Sequence, residues 1–382
     1  MKKWPLILLL IFALASIWVF GQRMSKKQPG VLGIVTPQNF KIGALLPLTG
    51  KFAFYGEDMR NALELSKEEI SQVYNVSLDI VYEDSAAEAK LASTAVKKLT
   101  EIDRVPIIIG GPGSTANLAV APMMESSKTL FLPVSANPKL NAAGEYIFKL
   151  HPDYDGEITR MSRFLYEKRF RRAAVLYDSS SDTQTFAKDF FRKEFGKSGG
   201  QVVAVEGSDS QVASDFRSQL AKIKQTQPDA LYFFLVEKVA GQAVKQAREV
   251  GLSQPIFGTT AFASPEFLTT AGEVAEGVII TDQPFSCEGK LVMRDYCERY
   301  IRKFPNYQPT QYGAHAYDAA KLITMAALQT NFDKEKIRAE LLTVKGYYGV
   351  SGDFTFDAQG NIRDKDFVFR IVKDGKFEDL EK

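Results

Sequence analysis

The chain has 382 residues, 45% apolar and 25% charged, an ordinary soluble composition at a length that suits two domains. Residues 1–38 carry Lys2, Lys3, Arg23, Lys26 and Lys27 and no acid, so the formal charge of +2 leaves the rest mildly acidic, which argues against a nucleic-acid partner. The only histidines are His151 and His315, little material for a histidine-based metal site or a catalytic triad.

In chain order, Lys2 and Lys3 precede an apolar run from Trp4 to Phe20. That run is short for a membrane span and long for a signal core. Ala13-Leu14-Ala15 resembles a cleavage triplet but lies inside the run, and no cysteine follows, which excludes a lipoprotein anchor. The expectation is export, with either late cleavage or a retained signal anchor, then a polar linker to residue 38. Strands are expected over 40–46, 77–82, 105–109 and 129–134, with helices over 56–74, 87–100 and one that Ser114 or Thr115 caps and that runs to 127. The stretch 105–140 organises this half. Its apolar strand breaks at Gly110-Gly111-Pro112-Gly113, a helix follows, and a second strand ends at Ser135-Ala136-Asn137-Pro138. Both turns lie at the carboxyl ends of parallel strands, where small residues, hydroxyls and free N–H groups suit an anion or polar head group. They also fit two ordinary βα turns.

A short strand, 148–152, closes at Pro152, and the pattern restarts. Strands are expected over 173–177, 201–205, 230–235, 256–258 and 277–281. Helices are expected over 158–168, 182–195, 215–225 and 240–250, then 291–304, 312–328 and 333–342, before a late strand at 367–372. Regular βα alternation implies parallel sheets with helices on both faces, an α/β fold. Cys287 and Cys297 are the only cysteines; in an exported protein they form a disulfide, or else Cys297 is a buried small residue and Cys287 a free thiol. Catalytic signatures are scarce. There is no Gly-x-Ser-x-Gly elbow. Gly196-Lys197-Ser198 ends like a phosphate loop, but Phe191 stands where the first glycine belongs, and Gly196 reads more simply as a helix stop. Glu83, Asp84, Asp178 and Asp182 sit at strand ends, as acid/base groups or as solvated and capping carboxylates.

Ordered motifs then accumulate: Ile42-Gly43 through Pro47-Leu48-Thr49-Gly50 with Tyr55-Gly56, Gly110-Gly111-Pro112 with Ser114-Thr115, and Pro133-Val134-Ser135-Ala136. Asp215-Phe216 with Leu220, Pro228-Asp229-Ala230, Ala275-Glu276-Gly277 and Ala316-Tyr317-Asp318-Ala319 continue the series. In this order and spacing the chain resembles the type I periplasmic binding proteins, specifically the branched-chain amino-acid-binding class of ABC-transporter solute receptors. The resemblance implies two Rossmann-like lobes with parallel sheets joined by three crossover strands: 39–150 with 282–348, and 151–281 with 349–382. It implies ligand capture by lobe closure, with no bond chemistry, no cofactor and no metal. Carried over by position, the first lobe offers Ser114, Thr115, Val134, Ser135 and Ala136, with Tyr55 flanking the ligand, and the second offers Asp182, Thr183, Glu237 and Thr260. Two positions depart from the amino-acid receptors: Ala136 stands for a threonine that holds the zwitterion, and Thr260 for an acid that meets the ammonium. The expected ligand is therefore a carboxylate or amide without an obligatory ammonium, unless Glu237 or Asp182 supplies the missing acid. The expected partners are ABC permease subunits, in the periplasm or another extracytoplasmic space. The alternative is a sensor of the same fold, with a sensor partner, held in the inner membrane by residues 4–20.

Overall fold

The computed structural model describes residues 38–380 except 211–213, 364 and 366, with Asn141 described for its backbone alone. The apolar run Trp4–Phe20 and its cleavage therefore lie outside the described residues. Among the described residues no helix is long and apolar enough to cross a membrane.

The first sheet is fully parallel. It is built from β1 (Gln38–Leu46), β2 (Val76–Asp84), β3 (Ile107–Gly110) and β4 (Leu130–Pro133) in the order β2-β1-β3-β4. The last five residues of β1 and all of β3 and β4 are buried, as continuous apolar runs in a doubly covered sheet must be. The connections are α1 (Ala53–Tyr74), α2 (Ala89–Lys97) and α3 (Ser114–Ser127).

The chain then enters a second sheet. Here α4 (Tyr154–Glu167), β5 (Arg172–Asp178), α5 (Asp182–Lys197), β6 (Gln201–Ser208), α6 (Arg217–Gln225), β7 (Ala230–Phe234), α7 (Glu237–Glu249), β8 (Ile256–Gly258), α8 (Pro265–Ala271) and β9 (Ile279–Asp282) alternate. It next returns to the first sheet as α9 (Leu291–Lys303), α10 (Gln311–Gln329) and α11 (Lys334–Leu341). Both α9 and α10 pack on α1. Small residues line α10, and at Gly313 a Cβ would lie 2.5 Å from Asp58 Oδ1. Asp58 accepts from Thr310 Oγ1 (2.5 Å) and Gly313 N (2.8 Å), capping α10 from α1; burial pushes its carboxyl up to about 7.

Three strands, β10 (Tyr347–Gly349), β11 (Gly352–Phe356) and β12 (Ile362–Arg363), make a small antiparallel sheet. Phe354, Phe356 and Ile362 pack into the same core as β1 and α10. The expected change of lobe at residue 349 therefore falls too early, because these apolar side chains are buried against the first lobe. The crossing comes after Arg363. Beyond it, β13 (Val368–Lys373) and β14 (Lys376–Asp379) complete a sheet ordered β14-β13-β9-β8-β7-β5-β6. Both added pairings are antiparallel, an edge added to an otherwise parallel sheet.

The chain thus passes between the sheets three times. Asp153 forms a buried ion pair with Lys149 on the first passage and lies 3.9 Å from Arg363 at the third. On the second, Cys287 and Cys297 are joined by a disulfide with Cα atoms 5.6 Å apart.

Candidate functional site: a cleft between two lobes

A cavity of about 590 Å³ opens between the carboxyl ends of the two sheets. On the first-lobe side, Gly111 brings the turn against β1: a Cβ there would lie 2.5 Å from Pro47 Cδ. Gly113, with φ of 121°, is the N-cap of α3 and offers no side-chain cap, correcting the expectation that Ser114 or Thr115 plays that part. Ser114 and Thr115 are instead the first helical residues, and the leading N–H groups of α3 have no side chain closing them off. Ser114 Oγ and Ser135 Oγ lie 2.9 Å apart, so the two turns converge on one spot. Val134 and Ala136 line the cavity with their backbones partly committed: Val134 N donates to Gly110 O (2.9 Å), and Ala136 O accepts from Tyr154 N (3.3 Å).

Tyr55, 5% exposed, stands at the start of α1 with its ring 4.5 Å from that of Tyr312. Phe52, Tyr154 and His151 extend this aromatic wall. Burial lowers His151 to about 3, so its ring is neutral. Its Nδ1 faces Pro152 O at 2.7 Å and must carry the proton, and Nε2 then accepts from Gln283 Nε2 (2.6 Å). Gln283 Oε1 in turn accepts from His315 Nε2 (2.9 Å). With both nitrogens committed, His151 presents a ring to the cleft and no proton-transfer group.

On the second-lobe side, Thr183 lines the cavity and accepts from Asn137 Nδ2 (3.2 Å), a contact between lobes. Asp182 does not join it. Its side chain is 63% exposed, 3.8 Å from Lys139, and is absent from the cavity wall. One residue along a helix start turns a side chain by about 100°, and here that separates Thr183 from Asp182. Thr260 lines the wall with its polar atoms spent: Oγ1 donates to Asp282 Oδ1 (2.8 Å) and accepts from Gln311 Nε2 (2.8 Å), while N donates to Glu157 Oε1 (2.7 Å). Glu157 also accepts from Thr281 Oγ1 (2.5 Å), and burial pushes it up to about 8, so it sits protonated beneath the cleft floor. Asp178 receives Ser180 and Ser210 through both backbone and hydroxyl donors.

Glu237 differs from these. It begins α7 with φ of 44°, a left-handed conformation that costs a non-glycine residue about 1 kcal/mol and is found where function holds the chain. Its carboxyl hydrogen-bonds Tyr55 across the cleft, and burial with help from Glu266 pushes it up to about 7. Among the described residues no cation lies within ion-pair distance of it, and no group of His, Cys, Asp and Glu could hold a metal. Sequence reasoning missed Gln184, Tyr154, Tyr312 and His151 as cleft residues; the aromatic ones carried no local signal, since such rings are as often core.

A family model described as periplasmic binding protein matches residues 39–376, and the chain belongs to that family. The fold is the two-lobed type I arrangement, and the family's members bind substrates rather than transform them. The leucine-, isoleucine-, valine-, threonine- and alanine-binding protein of Pseudomonas aeruginosa is 25% identical, over 87% of this chain and 90% of that one. A solved branched-chain amino acid transporter substrate-binding protein from Streptococcus pneumoniae, in complex with isoleucine, is 25% identical with TM-score 0.81, covering 89% and 98%. A solute-binding protein from Rhodopseudomonas palustris with bound 3,4-dihydroxybenzoic acid shares the fold at TM-score 0.79 and 21% identity, covering 90% and 96%.

Proposed function

We propose that the protein is an extracytoplasmic receptor that captures a small polar ligand, an amino acid, an organic acid or an amide, by lobe closure and presents it to an ABC permease. The observation that carries this reading is the convergence of Ser114 and Ser135, 2.9 Å apart at the uncapped start of α3, on a cavity whose far wall belongs to the other lobe. A carboxylate placed there receives hydroxyl and backbone N–H donors and the positive end of a helix. Tyr55, Thr183 and Glu237 then close on it, and Thr115, Val134, Ala136 and Thr260 shape the wall.

Replacing Ser114 or Ser135 by Ala should weaken binding by roughly 1–3 kcal/mol, the worth of one hydrogen bond to a charged group. Titration calorimetry with the compound that co-purifies, identified by native mass spectrometry, measures it. Unchanged affinity in both variants would move the site elsewhere in the cleft. The sensor alternative rests on the run Trp4–Phe20 staying attached, and a mature N-terminus between Gly21 and Gly33 would remove its support.

A further inference from the structure

Behind the aromatic wall of the cleft, one amide answers two imidazoles. Gln283 follows β9 on the second passage between the sheets and is 1% exposed. Its backbone is held on both sides: N donates to Asp282 Oδ1 (2.8 Å), and O accepts from Phe285 N (2.8 Å). Its side chain lies between His151, on the first passage, and His315, on α10. An amide has one donor end and one acceptor end, so its orientation follows from what faces it. His151 Nδ1 donates to Pro152 O, which leaves the neutral ring only a lone pair at Nε2, and the amide nitrogen must face it. The amide oxygen then faces His315 Nε2, which must carry a proton. Lys365, from the third passage, sets Nζ 3.2 Å from that same nitrogen and finds no lone pair there. Lys365 and Lys149 are the charged groups that act on His151, and both keep its ring neutral, in the same sense as burial. The ring so fixed ends a stack. His151 lies 6.2 Å from Tyr312 with the planes 25° apart, and Tyr312 lies 4.5 Å from Tyr55. These three rings line the cleft, and Gln283 supports them from behind.

We propose that Gln283 is a positioning residue for binding: it locks the neutral His151 ring in its Nδ1–H form and so fixes the aromatic wall against which Tyr55 stands. The role in binding rests on the receptor reading above, whereas the assignment of the two tautomers stands without it. The geometry makes the two ends of the amide unequal. Gln283→Glu exchanges the donor facing His151 for an acceptor and leaves the oxygen facing His315 as it was. Only His151 then has to take up a proton to answer the new oxygen, because an adjacent carboxylate favours the imidazolium. Exchanging one atom group therefore charges one histidine of the two, and the charge appears in the cleft wall.

His151 and His315 are the only histidines of the chain, so proton–nitrogen correlation spectra of histidine-labelled protein read each ring separately. Wild type should show two neutral rings, His151 protonated at Nδ1 and His315 at Nε2, unchanged from about pH 5 to about pH 8. Gln283→Glu should show His151 as the imidazolium at about pH 6 with His315 still neutral. Titration calorimetry with the co-purified compound should give an affinity that is flat over this range in wild type and varies with pH in Gln283→Glu. Gln283→Met keeps the bulk and removes both hydrogen bonds, and it should bind about tenfold more weakly at every pH. A charged His151 or an Nε2–H form in wild type overturns the assignment, and so does conversion of His315 in place of His151. Wild-type affinity with a flat profile in both folded variants reduces Gln283 to a packing residue and overturns the role in binding. Where a variant does not fold, the wild-type spectra still decide the tautomers on which the proposal stands. Failure of the co-purified compound to close the lobes, read by small-angle scattering, defeats the receptor reading and leaves the tautomers untouched.

Discussion

Glu157 shows how a single carboxyl sets the pH response of the fold. Folding raises it from about 4.5 to about 8, chiefly through burial, so the folded protein holds a proton that the unfolded chain has already released near neutrality. Its contribution to stability is complete below about pH 4.5 and is lost progressively as pH rises to about 8. Asp58, raised to about 7 by burial, acts in the same sense. Glu157→Gln keeps the shape and the acceptor for Thr260 and Thr281 while removing the ionisation. Urea melts should find the variant more stable than wild type at pH 9, by on the order of 2 kcal/mol, and the difference should shrink at pH 5. A constant difference across that range would show that Glu157 is already ionised in the folded protein. None of this could be read from the sequence. Glu157 meets its partners 103 and 124 residues away, and Thr260 meets Asp282 and Gln311 at separations of 22 and 51. The resemblance that put Asp182 and Glu237 in turns facing the cleft could not say which side chain turns inward.

At the scale of elements, the long apolar strands and periodic helices were legible because one physical pattern dominates each. The short antiparallel strands were not. β10, β11, β12 and β14 hold two to five residues each, and their pairing is antiparallel and set by turns. Gly196 makes the contrast at a single position. It reads as a helix stop, yet α5 runs through it to Lys197, and nothing lies within 4 Å of its missing Cβ. Gly196→Ala should therefore stabilise the protein by about 0.5–1 kcal/mol. Gly56 is the opposite case: a Cβ there would come 2.0 Å from Pro47 O, so α1 can cross the β1 turn only on a glycine. Gly56→Ala should cost about 2–3 kcal/mol and, by shifting the adjacent Tyr55, weaken ligand binding as well. Thermal and chemical denaturation of the two variants side by side checks both signs. Destabilisation by Gly196→Ala, or tolerance of Gly56→Ala, would contradict this account of the two helices.

For the whole molecule, the resemblance read from ordered motifs carried the lobes and the cleft, while the return of residues 352–362 to the first core needed the packing of Phe354 and Phe356. The disulfide acts at this scale too. It closes a loop with a sequence separation of 10, for which chain entropy alone gives about 2–3 kcal/mol. Denaturation with and without reductant should show that loss, and alkylation followed by mass measurement should find two reactive thiols only after reduction. Two thiols in unreduced, natively exported protein would remove the bond and its contribution.

The three passages between sheets give the molecule an unusual answer to being cut. A chain that crosses once between two bodies falls into halves at a single break, whereas here any one nick leaves two intact crossings holding the bodies together. Neither lobe is one continuous stretch of sequence. The first could be produced alone only by splicing residues 38–150 to 283–363, and the second only by joining what lies between to β13 and β14. Exchanging one lobe for another's would therefore need three junctions to fall in register at once.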